Sequence, residues 1–214
     1  MAKSMRKIAT EEAWSIPEVA AALRAVARGP TSSLDKLLVA GIYDAASIKS
    51  GYSVLNFLDG LLDIEGRRLT EMNEYGVDVQ LLSLTAPGVQ MFDADTATEL
   101  AALANDRMAE ICRKHPTRFA GLASFAPQSP KRAVKEMERA IRTLKLNGFI
   151  LNSHTNGEYL DDPKYWPVLE AAEALDACIY IHPRAPSERG RSRITAWIRR
   201  CGAMALRLAR MRCA

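Results

Sequence analysis

FAGLASF (Phe119–Phe125), PKRAVKEMERAIRTL (Pro130–Leu144) and GFILN (Gly148–Asn152) follow one another with only short connections. The first and third are short apolar runs, too brief for helices and suited to strands covered on both faces. The second begins behind Ser129-Pro130, a helix-start signal, and repeats apolar residues at Val134, Met137, Ile141 and Leu144. Strand, helix and strand within so short a span make a parallel βαβ unit.

The same grammar extends in both directions. Upstream lie the apolar runs Lys7–Glu12 and Val77–Leu84, and a helical stretch Thr96–Lys114 with Leu100, Leu103, Ala104, Met108 and Ile111 on one face. His115-Pro116 ends that helix, and His115 reads as a surface residue. Downstream, Asp162 opens a helix over Pro163–Leu175 carrying Trp166, Leu169 and Leu175, followed by the run Ala177–His182. Arg28–Ser53 is the least regular part and reads as a long insertion or cap after the first strand. Five strands in sequence predict an α/β chain of the (β/α)8 TIM-barrel type that is incomplete, since eight strands typically need about 250 residues.

Composition narrows the class. The chain has 214 residues, 48% of them hydrophobic, enough for a sizeable core, and no apolar run nears the roughly 18 residues that span a bilayer. Cys112, Cys178, Cys201 and Cys213 show no CxxC spacing and no disulfide framework, so a reducing, cytoplasmic setting is expected. The net charge of +4 is unevenly placed. Nine arginines and one glutamate give Arg184–Ala214 a charge of +8, leaving residues 1–183 at −4. The basic character belongs to the tail, so the body gives no sign of a nucleic-acid partner.

In a parallel barrel, functional groups gather at the C-terminal ends of strands. Two of the three histidines stand there: His182 closes Cys178-Ile179-Tyr180-Ile181, and His154 follows Phe149–Ser153. Glu11 and Glu12 end the first strand. A carboxylate and an imidazole at strand ends can share a divalent ion, because Zn, Mn and Fe accept mixed N/O ligands. Residue type alone leaves this open. Histidines at strand ends more often hydrogen-bond structurally, and a Glu pair more often caps a helix or is solvated.

Several strings in order are more specific: Lys7-Ile-Ala-Thr-Glu-Glu-Ala13, Leu82-Ser-Leu-Thr-Ala-Pro-Gly-Val-Gln90, Ala104-Asn-Asp106, Asn152-Ser-His-Thr155 and Tyr180-Ile-His-Pro183. Together, over roughly residues 6–186, they resemble the aromatic-acid decarboxylases of the amidohydrolase superfamily, those acting on γ-resorcylate, 2,3-dihydroxybenzoate and above all 5-carboxyvanillate. The resemblance implies one divalent ion, Mn or Zn, held by Glu11 and His182, with Ala13 at a non-ligating position. It implies a pocket walled by Trp14, Thr85, Pro87, Asn152 and His154 for a small aromatic carboxylic acid, in a homo-oligomer. The activity implied is metal-dependent, non-oxidative decarboxylation of a hydroxylated benzoate, with an amidohydrolase-type hydrolase or a non-catalytic fragment as alternatives.

Two departures stand out. Gly41–Gly60 does not match the arginine-bearing segment of the resembled enzymes. After His182 there is neither Asp nor His, so the late-strand His and Asp that supply a metal ligand and the proton donor have no counterpart. No catalytic acid or base is therefore assigned, and the chain is expected to be inactive. Residues 187–214 are read as an out-of-frame continuation of a barrel domain at 1–186. A permitted choice of codons for Gly190–Ala214, read from the third base of each codon, yields a Gly-Leu-Asp…Gly-x-Glu-Thr-Gly-x-His run like that of the resembled enzymes. The other reading of the tail is a basic helix, Trp197–Arg212, able to dock on nucleic acid or an acidic surface.

Overall fold

The computed structural model describes residues 5–30, 34–44 and 54–187. The tail after Ser187, with its out-of-frame and basic-helix readings, lies outside the described residues. The elements in chain order are β1 (Ile8–Trp14), α1 (Pro17–Arg28), α2 (Leu34–Tyr43), α3 (Val54–Leu62), a π-type turn (Ile64–Arg68) and α4 (Leu69–Glu74). Then come β2 (Val79–Leu84), α5 (Ala94–Lys114), β3 (Phe119–Leu122), α6 (Pro130–Arg142) and β4 (Phe149–Asn152). A small antiparallel hairpin, β5 (His154–Thr155) and β6 (Glu158–Tyr159), precedes α7 (Trp166–Ala174) and β7 (Ile179–His182).

β1, β2 and β3 pair in parallel in that order, and β4 pairs in parallel with β7. The two groups join where Ala123 donates to Gly148 O (2.8 Å) and accepts from Ile150 N (3.0 Å). All five expected strands therefore run parallel, in the order β1-β2-β3-β4-β7, with helices between them as in part of a (β/α) barrel. Strand bounds differ from the expectation by a few residues; β1 continues through Trp14, because Thr85 N donates to Trp14 O at 2.9 Å.

Each helix follows from its sequence. Asp93 caps α5 by accepting from Asp95 N and Thr96 N, both at 3.0 Å, and Ala97, Ala101, Ala104 and Met108 form its buried stripe. α6 starts with Pro130 at its first turn, but Ser129 makes no side-chain cap; its hydroxyl accepts from Arg132 instead. In α7 the buried face is Val168, Ala171 and Ala172, whereas Trp166 and Leu169 are 56% and 40% exposed. The expected insertion holds α2, packed on α1; Arg24 donates to Tyr43 O (2.7 Å), and Arg28 pairs with Asp44 (3.1 Å). Residues 45–53 of that insertion lie outside the described residues.

One polar clamp and one close approach lock the layers. Asn105, 1% exposed on α5, donates to Ser124 O (2.7 Å) and Glu136 Oε1 (2.6 Å) and accepts from Ser124 N (2.8 Å). Gly121 lets α5 come close to β3: a Cβ there would fall 2.3 Å from Met108 Sδ.

Candidate metal centre

The register of β1 decides which of its two glutamates faces the mouth. Pairing with β2 slips by one residue between Ala9 and Glu12, a bulge that re-aims the side chains around it. Glu12 then lies on the side of Leu82 and Leu84, under the helices, where Arg68 meets it at 3.4 Å. That guanidinium is largely buried and also donates to Gln80 Oε1 (3.1 Å), Ala13 O (2.6 Å) and Gly60 O (3.2 Å). Burial pulls Arg68 below its ordinary value, opposed by Glu12, Glu71 and Asp63. Glu12 is thus consumed in structure.

Glu11 takes the other side of the strand and meets His182, Nε2 to Oε1 at 3.4 Å. Strand alternation sets Tyr180 on the same face of β7 as His182. A hydrogen bond to Glu11 is the main reason the Tyr180 phenol lies above its ordinary value, with desolvation and the carboxylate charge adding to it. Two donors each about 2.1 Å from one ion at a tetrahedral angle sit about 3.4 Å apart, so the Glu11–His182 spacing suits a shared cation. The second ring nitrogen, His182 Nδ1, is buried without a hydrogen-bond partner. Among the described residues no group of three or more His, Cys, Asp or Glu converges on one point, so Glu11 and His182 meet as a pair.

Around the mouth, the loop after β2 is stitched to the end of β4 through Gln90. Its amide donates to Asn152 O (3.2 Å), His154 O (3.2 Å) and Thr155 Oγ1 (2.7 Å), and its carbonyl accepts from Asn152 N (2.7 Å) and Asn152 Nδ2 (3.0 Å). Asn152 Nδ2 also donates to Pro87 O (3.1 Å), and Thr85 Oγ1 donates to Trp14 O (2.8 Å). Pro87, Asn152 and Thr85 are therefore brought together at the strand ends.

His154 is 5% exposed, and Nε2 lies 2.8 Å from Ala185 O. A carbonyl can only accept, so Nε2 carries a proton, and Asp35 Oδ2 lies 4.0 Å from the same nitrogen; Nδ1 and Asn152 Oδ1 are buried without a hydrogen-bond partner. Trp14 is placed differently. Alternation turns it to the helix side with Glu12, where it lines a cavity of about 350 Å³ beside Ile64 and Ile111.

Sequence reasoning missed Arg68, the bonding role of Gln90, and a buried ion pair. Arg184 donates to both oxygens of Asp35 (3.3 and 2.7 Å) and to His154 O (2.8 Å), with its side chain 4% exposed. Arg184 thus belongs to the folded body and not to the basic tail. His115, read as surface, bonds Glu65 at 2.6 Å; together with Lys114 it holds that carboxyl below its ordinary value.

The family model described as amidohydrolase matches residues 59–206. γ-Resorcylate decarboxylase of Rhizobium sp. (strain MTP-10005) is 33% identical over 187 residues, covering 84% of this chain and 50% of that protein. The crystal structure of 5-carboxyvanillate decarboxylase from Sphingomonas paucimobilis superposes with a TM-score of 0.81 at 52% identity, over 87% of this chain and 54% of that one. A 5-carboxyvanillate decarboxylase from Novosphingobium aromaticivorans, solved with manganese and 3-methoxy-4-hydroxy-5-nitrobenzoic acid, gives 0.80 at 34% identity, over 87% and 53%. The chain spans about half the length of these relatives.

Proposed function

Because this chain belongs to the amidohydrolase family, we propose that it carries the front part of a metal-dependent, non-oxidative carboxy-lyase site for a hydroxylated benzoate. The observation that carries the reading is the meeting of Glu11 and His182 at 3.4 Å across the barrel mouth. Relatives named as decarboxylases favour a carboxy-lyase over a hydrolase, and manganese in one of them favours Mn²⁺ here.

Glu11 and His182 are the groups that would hold the ion. Once bound, such an ion supplies a template and Lewis acid for the substrate carboxylate and the neighbouring phenolic oxygen. The chain's own residues do the rest of the binding. Tyr180 steadies the Glu11 carboxylate. Asn152 Oδ1, an acceptor without a donor, suits a phenolic hydroxyl, since a buried acceptor left empty costs about 1–3 kcal/mol, and His154 Nδ1 offers a second unpartnered polar atom. Thr85 and Pro87 hold the loop over them, while Trp14 supports the wall from behind. No residue here is assigned as the proton donor, so binding is expected without turnover. No helix among the described residues is long and apolar enough to cross a membrane. A cytoplasmic, self-associating protein completes the proposal.

The test is calorimetric titration of the full chain with 2,6-dihydroxybenzoate and with benzoate, each with Mn²⁺ and with chelator, beside a carbon dioxide assay. Mn²⁺-dependent binding that favours the hydroxylated acid is expected, lost in both Glu11→Ala and His182→Ala. Equal binding of both acids in chelator would sink the reading.

A further inference from the structure

Glu11 and His182 come from β1 and β7, the two outer strands of the order β1-β2-β3-β4-β7. Among the described residues no backbone hydrogen bond joins those two strands, so the sheet does not itself fix the gap between the two side chains. A second route does connect them. β1 runs within three residues into α1, and α1 is fastened to α2 by Arg24 to Tyr43 O (2.7 Å) and by Arg28 to Asp44 (3.1 Å). The first turn of α2 carries Asp35, whose two carboxylate oxygens take Arg184 at 2.7 and 3.3 Å.

Arg184 stands two residues beyond His182. Its backbone N donates to Ser153 Oγ (3.1 Å), Ser153 N donates to His182 O (2.9 Å), and its guanidinium also donates to His154 O (2.8 Å). The end of β7 is thereby pinned from the side of β1 through a pair buried on both partners, with side-chain exposures of 4% and 11%. Such a pair, bidentate and shielded from water, is stiff in a way an exposed one is not.

We infer that the Asp35–Arg184 pair is a positioning brace that holds His182 at chelating distance from Glu11, an inference that rests on the metal-site reading above. Neither residue touches the cation position; both act through the backbone of the β7 end.

The test uses the full chain labelled with ¹⁵N-histidine. Its three histidines are told apart by His115→Gln and His154→Gln, and ring spectra are recorded without metal. Arg184→Lys, which keeps the charge but loses the fork, and Asp35→Asn are expected to shift and broaden the His182 ring signals. His115, bonded to Glu65 away from the mouth, reports the fold and should stay in place. If Asp35→Asn also displaces His115, Arg184→Lys alone decides. An unmoved His182 beside an unmoved His115 overturns the brace.

Mn²⁺ titration of the same samples separates the two proposals. Paramagnetic loss of the His182 signal in the unmodified chain tests the metal reading, and the metal-free spectra judge the brace whichever way that falls. Where Mn²⁺ binds, its affinity should drop about tenfold or more in both variants, the scale of lost outer-shell support.

Discussion

Replacing Asn105 by alanine removes the clamp that ties α5 to the end of β3, and its cost can be worked from three bonds. Two of them serve the backbone N–H and C=O of Ser124, a residue only 6% exposed, with which nothing else is paired in their place. The third goes to Glu136 Oε1, which retains Arg139 at 2.8 Å. Two buried backbone groups left unpartnered at about 1–3 kcal/mol each give a loss of about 4 kcal/mol. For a chain of this size that lowers Tm by about 8–16 °C, at roughly 2–4 °C per kcal/mol. Thermal unfolding followed by far-ultraviolet circular dichroism reads it directly. Asn105→Asp is the sharper companion. Its carboxylate still accepts from Ser124 N but faces Ser124 O and Glu136, so it should be at least as unstable at neutral pH and recover as the acid protonates. A Tm change under about 3 °C in Asn105→Ala would refute the reasoning.

Gly121→Ala drives a methyl into Met108 and should cost about 1–3 kcal/mol by chemical denaturation, with Gly121→Ala/Met108→Ala costing less than the sum of the single changes. Asp93 lies below its ordinary value because Thr96 backbone and side chain, and then Asp95 N, donate to its carboxylate. Its stabilisation is therefore present above the unfolded pKa of about 3.9 and lost as pH falls through the lower folded value. Asp93→Ala should accordingly unfold a few degrees earlier near neutrality and converge with the unmodified chain in strong acid. Burial pushes the Cys112 thiol up to about 11, whereas Cys178 is exposed. Iodoacetamide at pH 8, read by peptide mass mapping, should label Cys178 well before Cys112; equal labelling would show that α5 opens readily.

The parallel strands were legible because apolar runs closed by polar residues mark strand ends whatever lies around them, and His182 and Glu11 were visible for the same reason. The stretch from β1 to β2 was not. α1 buries Val19, Ala20, Leu23 and Ala27, a stripe half made of alanine that carries little contrast with its exposed side. In α7 apolar residues occur nearly all round, so the sequence marks no single face, although Val168, Ala171 and Ala172 are the buried ones. Residue type alone could not separate Glu11 from Glu12; the resemblance named Glu11, and the one-residue bulge that turns the two to opposite sides of β1 is announced by nothing local. Arg68 and the Asp35–Arg184 pair were beyond reach for a plainer reason. Their partners lie 56 and 149 residues away, distances that only the folded topology closes. Arg184 was instead counted with a basic tail because it is followed by eight more arginines.

Glu11 and His182, as proposed above, form part of one metal centre. The most direct test is Mn²⁺ titration of the full chain by electron paramagnetic resonance, with bound metal confirmed by elemental analysis, beside Glu11→Ala and His182→Ala. Close to one Mn²⁺ per chain, lost in each variant while the folded circular-dichroism spectrum persists, is the predicted result. A folded chain that binds no Mn²⁺ above background, or binds it equally well in both variants, would contradict it.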